Sequence, residues 1–399
     1  MKQIKTRLLG KAADLAGPIR AAVSALEPQL IADVSKTAFG DPNVIPLWFG
    51  ESDLSTPEFI RAAAKRALDE GETFYTYTRG IPPLREAIAE YLTGLHAHPV
   101  APERVSVTTA GMNAIMLVME LVLEAGANAV TVTPLWPNAA AAARIMGAEP
   151  REVPLRSEQG RWRLDLDRLF AACDARTRLI FVNSPGNPTG WMMTREEQRA
   201  VLDFCRERNI WLLADEVYSR IVYHGRAAPS FLDIALPEDP LFVANSFSKA
   251  WAMTGWRMGW LVAPAALGDL LGELVQHNVS GVATFLQPAA ITALKEGEPF
   301  VTEFVERCRR GRDIVADHLA AMPRVRFTSP EAAFYAFFEV EGVEDSLAFA
   351  KRIVREAGVG LAPGAAFGRG GEGGFLRLCF AQAPELLERA MERLRRVIV

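Results

Sequence analysis

Short apolar segments alternate with helix-like segments over the middle of the chain, and this alternation restricts the possible folds more than any other feature. Each apolar segment has four or five residues, the length of a buried strand. The predicted strands cover residues 105–109, 129–133, 179–182, 210–214, 241–244 and 258–262. Strands that alternate with helices favour a mostly parallel sheet with helices on both faces. We therefore expect an α/β protein.

The pattern changes after residue 263, where long helical segments precede a few short strands. Helices are predicted at 267–276, 286–294, 299–322 and 384–397, and strands near 325–327, 333–339 and 375–380. This order is typical of a smaller α+β unit. We expect a large domain of residues 47–285, and a small domain formed by residues 1–46 together with 286–399.

Composition and charge narrow the class of protein. The net charge is −4, which argues against a nucleic acid as the main partner. The four cysteines show no CxxC spacing and the five histidines form no ligand-spaced pattern, so no metal site is expected. The sequence has no apolar run of about 18 residues, so no membrane span is predicted. With cysteines that are expected to be reduced, a cytoplasmic location is predicted.

Residues 245–259 contain the most informative side chains. An apolar segment leads into Ser246 and Lys249, and Arg257 follows eight residues after the lysine. A lysine beside aromatic and apolar residues loses water, which lowers its pKa, and a neutral amine can form a Schiff base with a carbonyl. A hydroxyl and a guanidinium are the groups that hold a phosphate. Pyridoxal phosphate (PLP) is a carbonyl compound that carries a phosphate. Taken alone, Lys249 would be more typical of a solvated surface lysine, and it is the surrounding residues that favour a reactive amine.

Polar residues also follow three other predicted strands, at the edge where parallel sheets bind ligands. Residues 110–112 begin a helix, whose free N–H groups suit a phosphate. The proline-rich loop 183–190 can aim the amide of Asn187 inward, although a plain turn explains it as well. Asp215 ends a buried strand and needs a partner, which backbone N–H groups can also supply.

In this order, the segments SFSK, TGWRMG, NSPGNPTG and ADEVY resemble those of fold-type I PLP enzymes, and among these the class I/II aminotransferases. The resemblance extends from about residue 49 to residue 381. It implies the PLP-dependent transferase fold, PLP as the cofactor, and transfer of an amino group between an L-amino acid and a 2-oxo acid in two half-reactions. It also implies a homodimer with shared active sites.

The same resemblance assigns roles to individual residues. Lys249 matches the lysine that bonds to the cofactor and later moves a proton, with Asp215 facing the ring nitrogen and Tyr218 the ring oxygen. The implied cofactor contacts are Ala110, Gly111, Met112, Trp136, Asn187, Asp215, Tyr218, Ser246, Ser248, Lys249, Arg257 and, from the other subunit, Tyr75. The implied substrate contacts are Gly50, Asn187 and Arg377, of which Arg377 matches the arginine that binds the α-carboxylate.

Two positions depart from the family pattern. Met112 stands where members that act on acidic substrates can carry a lysine, and Asn138 stands where a tyrosine is frequent. These departures favour a substrate other than aspartate, but they do not identify the donor or the acceptor. A PLP-dependent lyase, or another enzyme with carbanion chemistry on this fold, would use nearly the same pocket and stays open as the alternative.

Overall fold

A computed structural model describes residues 19–370 and 372–398 of the 399-residue chain. Its largest element is a seven-stranded sheet. The strands, in chain order, are β1 (Val105–Thr108), β2 (Asn128–Thr133), β3 (Glu149–Pro154), β4 (Thr177–Asn183), β5 (Trp211–Asp215), β6 (Leu241–Ser246) and β7 (Gly259–Val262).

The spatial order of this sheet is β1-β7-β6-β5-β4-β2-β3. The pairs β2–β3, β2–β4, β4–β5 and β5–β6 are parallel, whereas β7 runs antiparallel to both of its neighbours. Only residues 247–258 connect β6 to β7, and this segment contains the short helix Phe247–Ala250 rather than a full crossover helix. The predicted mostly parallel sheet is therefore confirmed, with one reversed strand.

Helices cover both faces of this sheet. Neighbouring strand residues such as Leu212 and Leu213 point into two different buried clusters, as the two-residue period of a strand requires. The described helices are Ala21–Ser24, Leu30–Ser35, Glu58–Asp69, Pro82–Thr93, Gly111–Val122, Asn138–Ile145, Leu166–Ala171, Arg195–Arg208, Phe247–Ala250, Gly268–Asn278, Gln287–Glu296, Glu298–Ala320, Ser346–Ala357 and Pro384–Arg395.

A smaller sheet follows in the C-terminal part of the chain. Its antiparallel strands are β8 (Val325–Phe327), β9 (Tyr335–Val340), β10 (Ala362–Pro363) and β11 (Phe375–Cys379), in the spatial order β8-β9-β11-β10. This sheet and its helices share a separate buried cluster, so the predicted smaller α+β unit is present. The exact domain limits stay a prediction. The helix Gln287–Glu296 packs in the cluster of the larger sheet, which favours a limit after this helix.

Strand β3 and the hairpin Arg156–Glu158 with Arg161–Arg163 have no counterpart among the predicted strands. All three are rich in charged residues; the hairpin is mostly exposed, and Val153 is the one buried residue of β3. An edge strand has little apolar face to bury, so its sequence lacks the apolar run that marks the inner strands.

Candidate active site

The carboxyl ends of β1, β4, β5 and β6 open into one cavity of about 220 Å³. Every site residue expected from the sequence lines this cavity except Tyr75. The sequence-predicted lining residues are Gly50, Ala110, Gly111, Met112, Trp136, Asn187, Asp215, Tyr218, Ser246, Ser248, Lys249, Arg257 and Arg377. Asn183, Ile31, Trp48 and Tyr335 line it as well and were not among the predicted site residues.

Lys249 extends from the short helix Phe247–Ala250 into this cavity. Its Nζ donates a hydrogen bond of 2.7 Å to the carbonyl oxygen of Gly50. The rings of Tyr218 and Phe334 lie 5.7 and 5.9 Å from the amine. The pKa of Lys249 is lowered to about 8, mainly by burial, with Cys379 opposing the shift and the charge of Arg377 adding to it. About a fifth of this amine is thus neutral and nucleophilic near pH 7.4, far more than for an ordinary lysine.

Asp215 is the last residue of β5 and is 5% exposed. Its Oδ1 accepts a hydrogen bond of 3.3 Å from the backbone N–H of Val217. Burial raises the pKa of Asp215 to about 7, and neither the Val217 N–H nor the charge of Lys249 offsets it. The backbone contact therefore satisfies this carboxylate only in part, and a cation placed against it would stabilise its charged form.

The loop after β4 is tied to the sheet by Asn183. The Asn183 side chain donates to the carbonyl of Asp215 at 3.0 Å and accepts from the N–H of Asn187 at 2.8 Å. The amide of Asn187 is thereby fixed at the cavity wall, where its Oδ1 accepts from Nη1 of Arg377 at 3.0 Å. The proline-rich loop could have revealed Asn183, because an asparagine that ends a strand often caps the turn that follows.

Arg377 lies in the middle of β11 and is 2% exposed. It donates to the carbonyl oxygen of Trp48 and to Asn187, both neutral, and its Nε has no partner within the described part of the chain. Among residues 19–370 and 372–398, no carboxylate forms an ion pair with it. A buried guanidinium without a counter-charge is costly, so the cavity provides a site for an anion.

A cluster of polar groups lines the cavity at the carboxyl end of β6. Ser246 accepts from the N–H of Ser248, and their hydroxyl oxygens are 2.9 Å apart. The helix Gly111–Val122 begins beside them, after Ala110 with a φ of 79°. Arg257 is exposed and donates to the carbonyl oxygen of Thr254 at 2.7 Å, which leaves its other N–H groups free to bind a ligand. Helix N–H groups, hydroxyls and a guanidinium together suit a phosphate.

Trp136 is half-buried in the cavity wall, and its backbone N–H donates to the carbonyl of Asn187 at 3.0 Å. Tyr75 lies elsewhere and is 97% exposed, next to Phe74 and Tyr77, which are also exposed. It borders a separate depression together with residues 279–285. Within this chain Tyr75 therefore does not contribute to the cavity.

The family model for aminotransferase class I and II matches residues 42–394. The chain belongs to this family. An aspartate aminotransferase of Pyrococcus horikoshii is 36% identical over 359 residues, which cover 89% of this chain and 91% of the relative. Aromatic-amino-acid aminotransferase 2 of Thermococcus litoralis is 34% identical and covers 94% of this chain and 96% of the relative.

Solved structures give the same result for this aminotransferase. A single mutant of Thermus thermophilus aspartate aminotransferase superimposes with a TM-score of 0.89 at 31% identity, over 96% of this chain and 100% of that chain. The expected fold and the expected activity, amino-group transfer in a family that uses PLP, are confirmed.

The described part of the aminotransferase lacks two kinds of feature. Over the residues that the structure describes, no group of three or more His, Cys, Asp or Glu side chains could hold a metal ion. In the same part of the chain, no helix is both long enough and apolar enough to cross a membrane.

Proposed function

We propose that this aminotransferase binds PLP in the cavity and moves an amino group between an L-amino acid and a 2-oxo acid. One observation carries the proposal. The buried cation Arg377, the amine of Lys249 and the buried carboxyl of Asp215 share a cavity of about 220 Å³. An anion site beside a reactive amine suits a substrate whose amino group and carboxylate are attached to one carbon.

The residues present fit PLP. Asp215 has a carboxyl whose charged form needs a cation, and a protonated ring nitrogen would supply one. Ser246, Ser248, Arg257 and the start of the helix Gly111–Val122 would hold the phosphate. Tyr218 and Asn187 would bind the ring oxygen and Trp136 would stack on the ring. Lys249 would carry the cofactor, since its pKa of about 8 leaves a usable fraction of neutral amine.

When bound, PLP supplies a carbonyl for the amino group and a ring that accepts electrons from the substrate. The chain supplies position and proton transfer. Arg377 binds the α-carboxylate, which orients the α-carbon toward Lys249. The amine of Lys249 removes the proton from the α-carbon, and its lowered pKa suits a base that works near neutral pH. Tyr218, buried and protonated, would donate a hydrogen bond to the ring oxygen.

We also infer a homodimer that shares its active sites. The exposed aromatic residues Phe74, Tyr75 and Tyr77 form a patch that a second copy would cover. Tyr75 would then reach the phosphate in the cavity of the partner. A cytoplasmic location stays a prediction, for which fractionation of cells is the direct measurement.

Incubation of the PLP-loaded protein with single amino acids tests the activity. A transferase should release one 2-oxo acid per site and then stop, and it should resume only when a second 2-oxo acid is added. The release of ammonia or carbon dioxide in many turnovers would instead identify a lyase. Heat-inactivated protein and the Lys249→Ala variant serve as controls for the spontaneous reaction of free PLP.

A further inference from the structure

Tyr335 is a fully buried residue of β9 in the smaller sheet, and its side chain lines the cavity. Its hydroxyl oxygen lies 2.7 Å from that of Tyr218, which follows β5 in the larger sheet. One hydrogen bond thus connects the two sheets at the wall of the site. Neither residue has a second hydroxyl, so each can donate only one proton to this region.

The direction of this hydrogen bond follows from the proposed role of Tyr218. If Tyr218 donates its proton to the cofactor, its oxygen can only accept from Tyr335. Burial raises the pKa of both phenols, so both stay protonated and able to donate. A hydroxyl that accepts a hydrogen bond becomes a stronger donor, because donors in a chain polarise one another.

The ring of Tyr335 contacts the other half of the site. The guanidinium carbon of Arg377 lies 4.5 Å from the centre of the Tyr335 ring and 5.0 Å from that of Phe367. Aromatic rings at these distances stabilise a cation that has no carboxylate partner. Tyr335 therefore supports the guanidinium face while the N–H groups of Arg377 point to Trp48, Asn187 and the cavity.

Gly50 leaves the space that the hydroxyl of Tyr335 needs. A Cβ atom at Gly50 would overlap the hydroxyl oxygen of Tyr335. The carbonyl of the same glycine accepts the hydrogen bond from Lys249. Tyr335 is thus in direct contact with Tyr218, Arg377 and Gly50, and through Gly50 it is one residue away from the reactive amine.

We propose that Tyr335 is a positioning residue whose hydroxyl orients Tyr218 and whose ring supports Arg377. It fixes the position of Tyr218, which faces the cofactor, relative to that of Arg377, which binds the carboxylate, although the two residues belong to different sheets. The proposal rests on the proposed function, through the roles given there to Tyr218 and Arg377.

Two substitutions separate the hydroxyl from the ring. Tyr335→Phe removes only the hydroxyl, whereas Tyr335→Leu removes the ring as well. Phe338→Leu is the matched control, because Phe338 is fully buried on the opposite face of the same strand and does not line the cavity. For the PLP-loaded proteins we would measure the pH titration of the cofactor absorbance, the binding of 4-methylpentanoate as a carboxylate probe, kcat and KM, and the melting temperature.

In Tyr335→Phe we expect the absorbance titration to move upward by about half a pH unit and kcat to fall about tenfold, because Tyr218 becomes a weaker donor. Binding of the probe should change less than about twofold, since the ring remains. In Tyr335→Leu the probe should also bind about tenfold more weakly. Phe338→Leu should lower only the melting temperature.

The proposal is overturned if Tyr335→Phe titrates and turns over like the wild type, or if Tyr335→Leu binds the probe as well as Phe338→Leu does. Failure of the proposed function is distinguishable from these outcomes, because it is seen in the wild type alone: a protein that does not bind PLP would show no cofactor absorbance, and a lyase would release ammonia or carbon dioxide in many turnovers. A wild type that loads PLP normally, with unaffected Tyr335 variants, would contradict only the role of Tyr335.

Discussion

The amine of Lys249 lies 2.7 Å from the carbonyl oxygen of Gly50 and donates a hydrogen bond to it. This partner is neutral, so it fixes the position of the amine without stabilising its positive charge as a carboxylate would. The result is a lysine that is held in place and whose pKa is lowered to about 8 by burial. Position and reactivity are thus set by the same surroundings.

Lys249 should be the residue that bonds covalently to PLP. The protein is mixed with PLP and treated with borohydride. This treatment should add the mass of one reduced cofactor per chain, on the peptide that contains Lys249. The rate of attachment to cofactor-free protein should rise with pH through the pKa of about 8, where half of the amine is neutral, and level off about one pH unit higher. Lys249→Ala should show no addition at this peptide. The exposed Lys65 is an internal control, and labelling of both lysines with the same pH profile would contradict the assignment.

The carboxyl of Asp215 should make the stability of the cofactor-free protein depend on pH. Burial raises its pKa from 3.8 to about 7, so between these values the native state holds a proton that the unfolded chain has lost. The contribution of Asp215 to stability therefore decreases as the pH rises from about 4 to 7. Asp215→Asn removes this dependence, and its free energy of unfolding should exceed that of the wild type by about 4 kcal/mol at pH 7 and by little near pH 4.

Urea denaturation at a series of pH values measures this difference. Asp167 is exposed, and Asp167→Asn is the control. Its free energy of unfolding should differ from that of the wild type by the same small amount at every pH in this range. If the free energies of unfolding of Asp215→Asn and the wild type differ by an amount that does not vary with pH, the carboxyl stays charged in the folded protein. Addition of PLP should stabilise the wild type more than the variant, since only the wild type offers a charge to the ring nitrogen.

Arg377 should be required for its shape as well as its charge. Arg377→Lys keeps a cation in the cavity but loses the planar fork and the face that lies against Tyr335. We expect kcat/KM for amino acids to fall at least about 100-fold, because the interaction with the α-carboxylate becomes monodentate and poorly oriented. The covalent loading of PLP should be unchanged, and normal kcat/KM in this variant would exclude the bidentate contact.

The patch around Tyr75 allows a test of the shared site. Tyr75→Ala should weaken phosphate binding in the partner, and Lys249→Ala should be inactive, so each variant alone has no fully competent site. A dimer of one Tyr75→Ala chain and one Lys249→Ala chain has one competent site. When equal amounts of the two variants assemble at random, about half of the dimers are mixed, so about a quarter of the wild-type activity should be recovered. Sedimentation of each variant should show a dimer. No recovery from mixtures in which subunits have exchanged would show that Tyr75 does not act across the interface.

The sequence predicts those parts of the site that have a local signal. Asp215 and Ser246 end buried strands and residues 110–112 follow one, and all of them line the cavity. Tyr335 has no such signal, because it lies within a strand of the other sheet and meets Tyr218 only through a contact 117 residues apart in sequence. The charged edge strand Glu149–Pro154 lacks the apolar pattern for a similar reason: its place is fixed by pairing with β2.

The apolar lining of the cavity leads to a prediction about the amino donor. Ile31, Phe49, Met112 and Ile115 line it and are not needed for the phosphate, ring or α-carboxylate contacts, apart from the backbone of Met112. The depression that Tyr75 borders contains no charged side chain among its lining residues, 73–76 and 279–285. A second carboxylate in such surroundings would be buried without a cation, which costs several kcal/mol.

Leucine and aspartate are a suitable pair, because their side chains have nearly the same shape and differ in charge. In single-turnover release of the 2-oxo acid, we expect leucine to exceed aspartate by about 100-fold in kcat/KM. Met112→Lys should reduce this ratio at least about tenfold by raising the rate with aspartate, since lysine has the same unbranched form as methionine and adds a cation. Met112→Gln, which adds polarity without charge, is the control and should leave the ratio nearly unchanged. Faster release from aspartate than from leucine by the wild type would contradict the prediction, because the lining would then have to supply a second cation for the distal carboxylate.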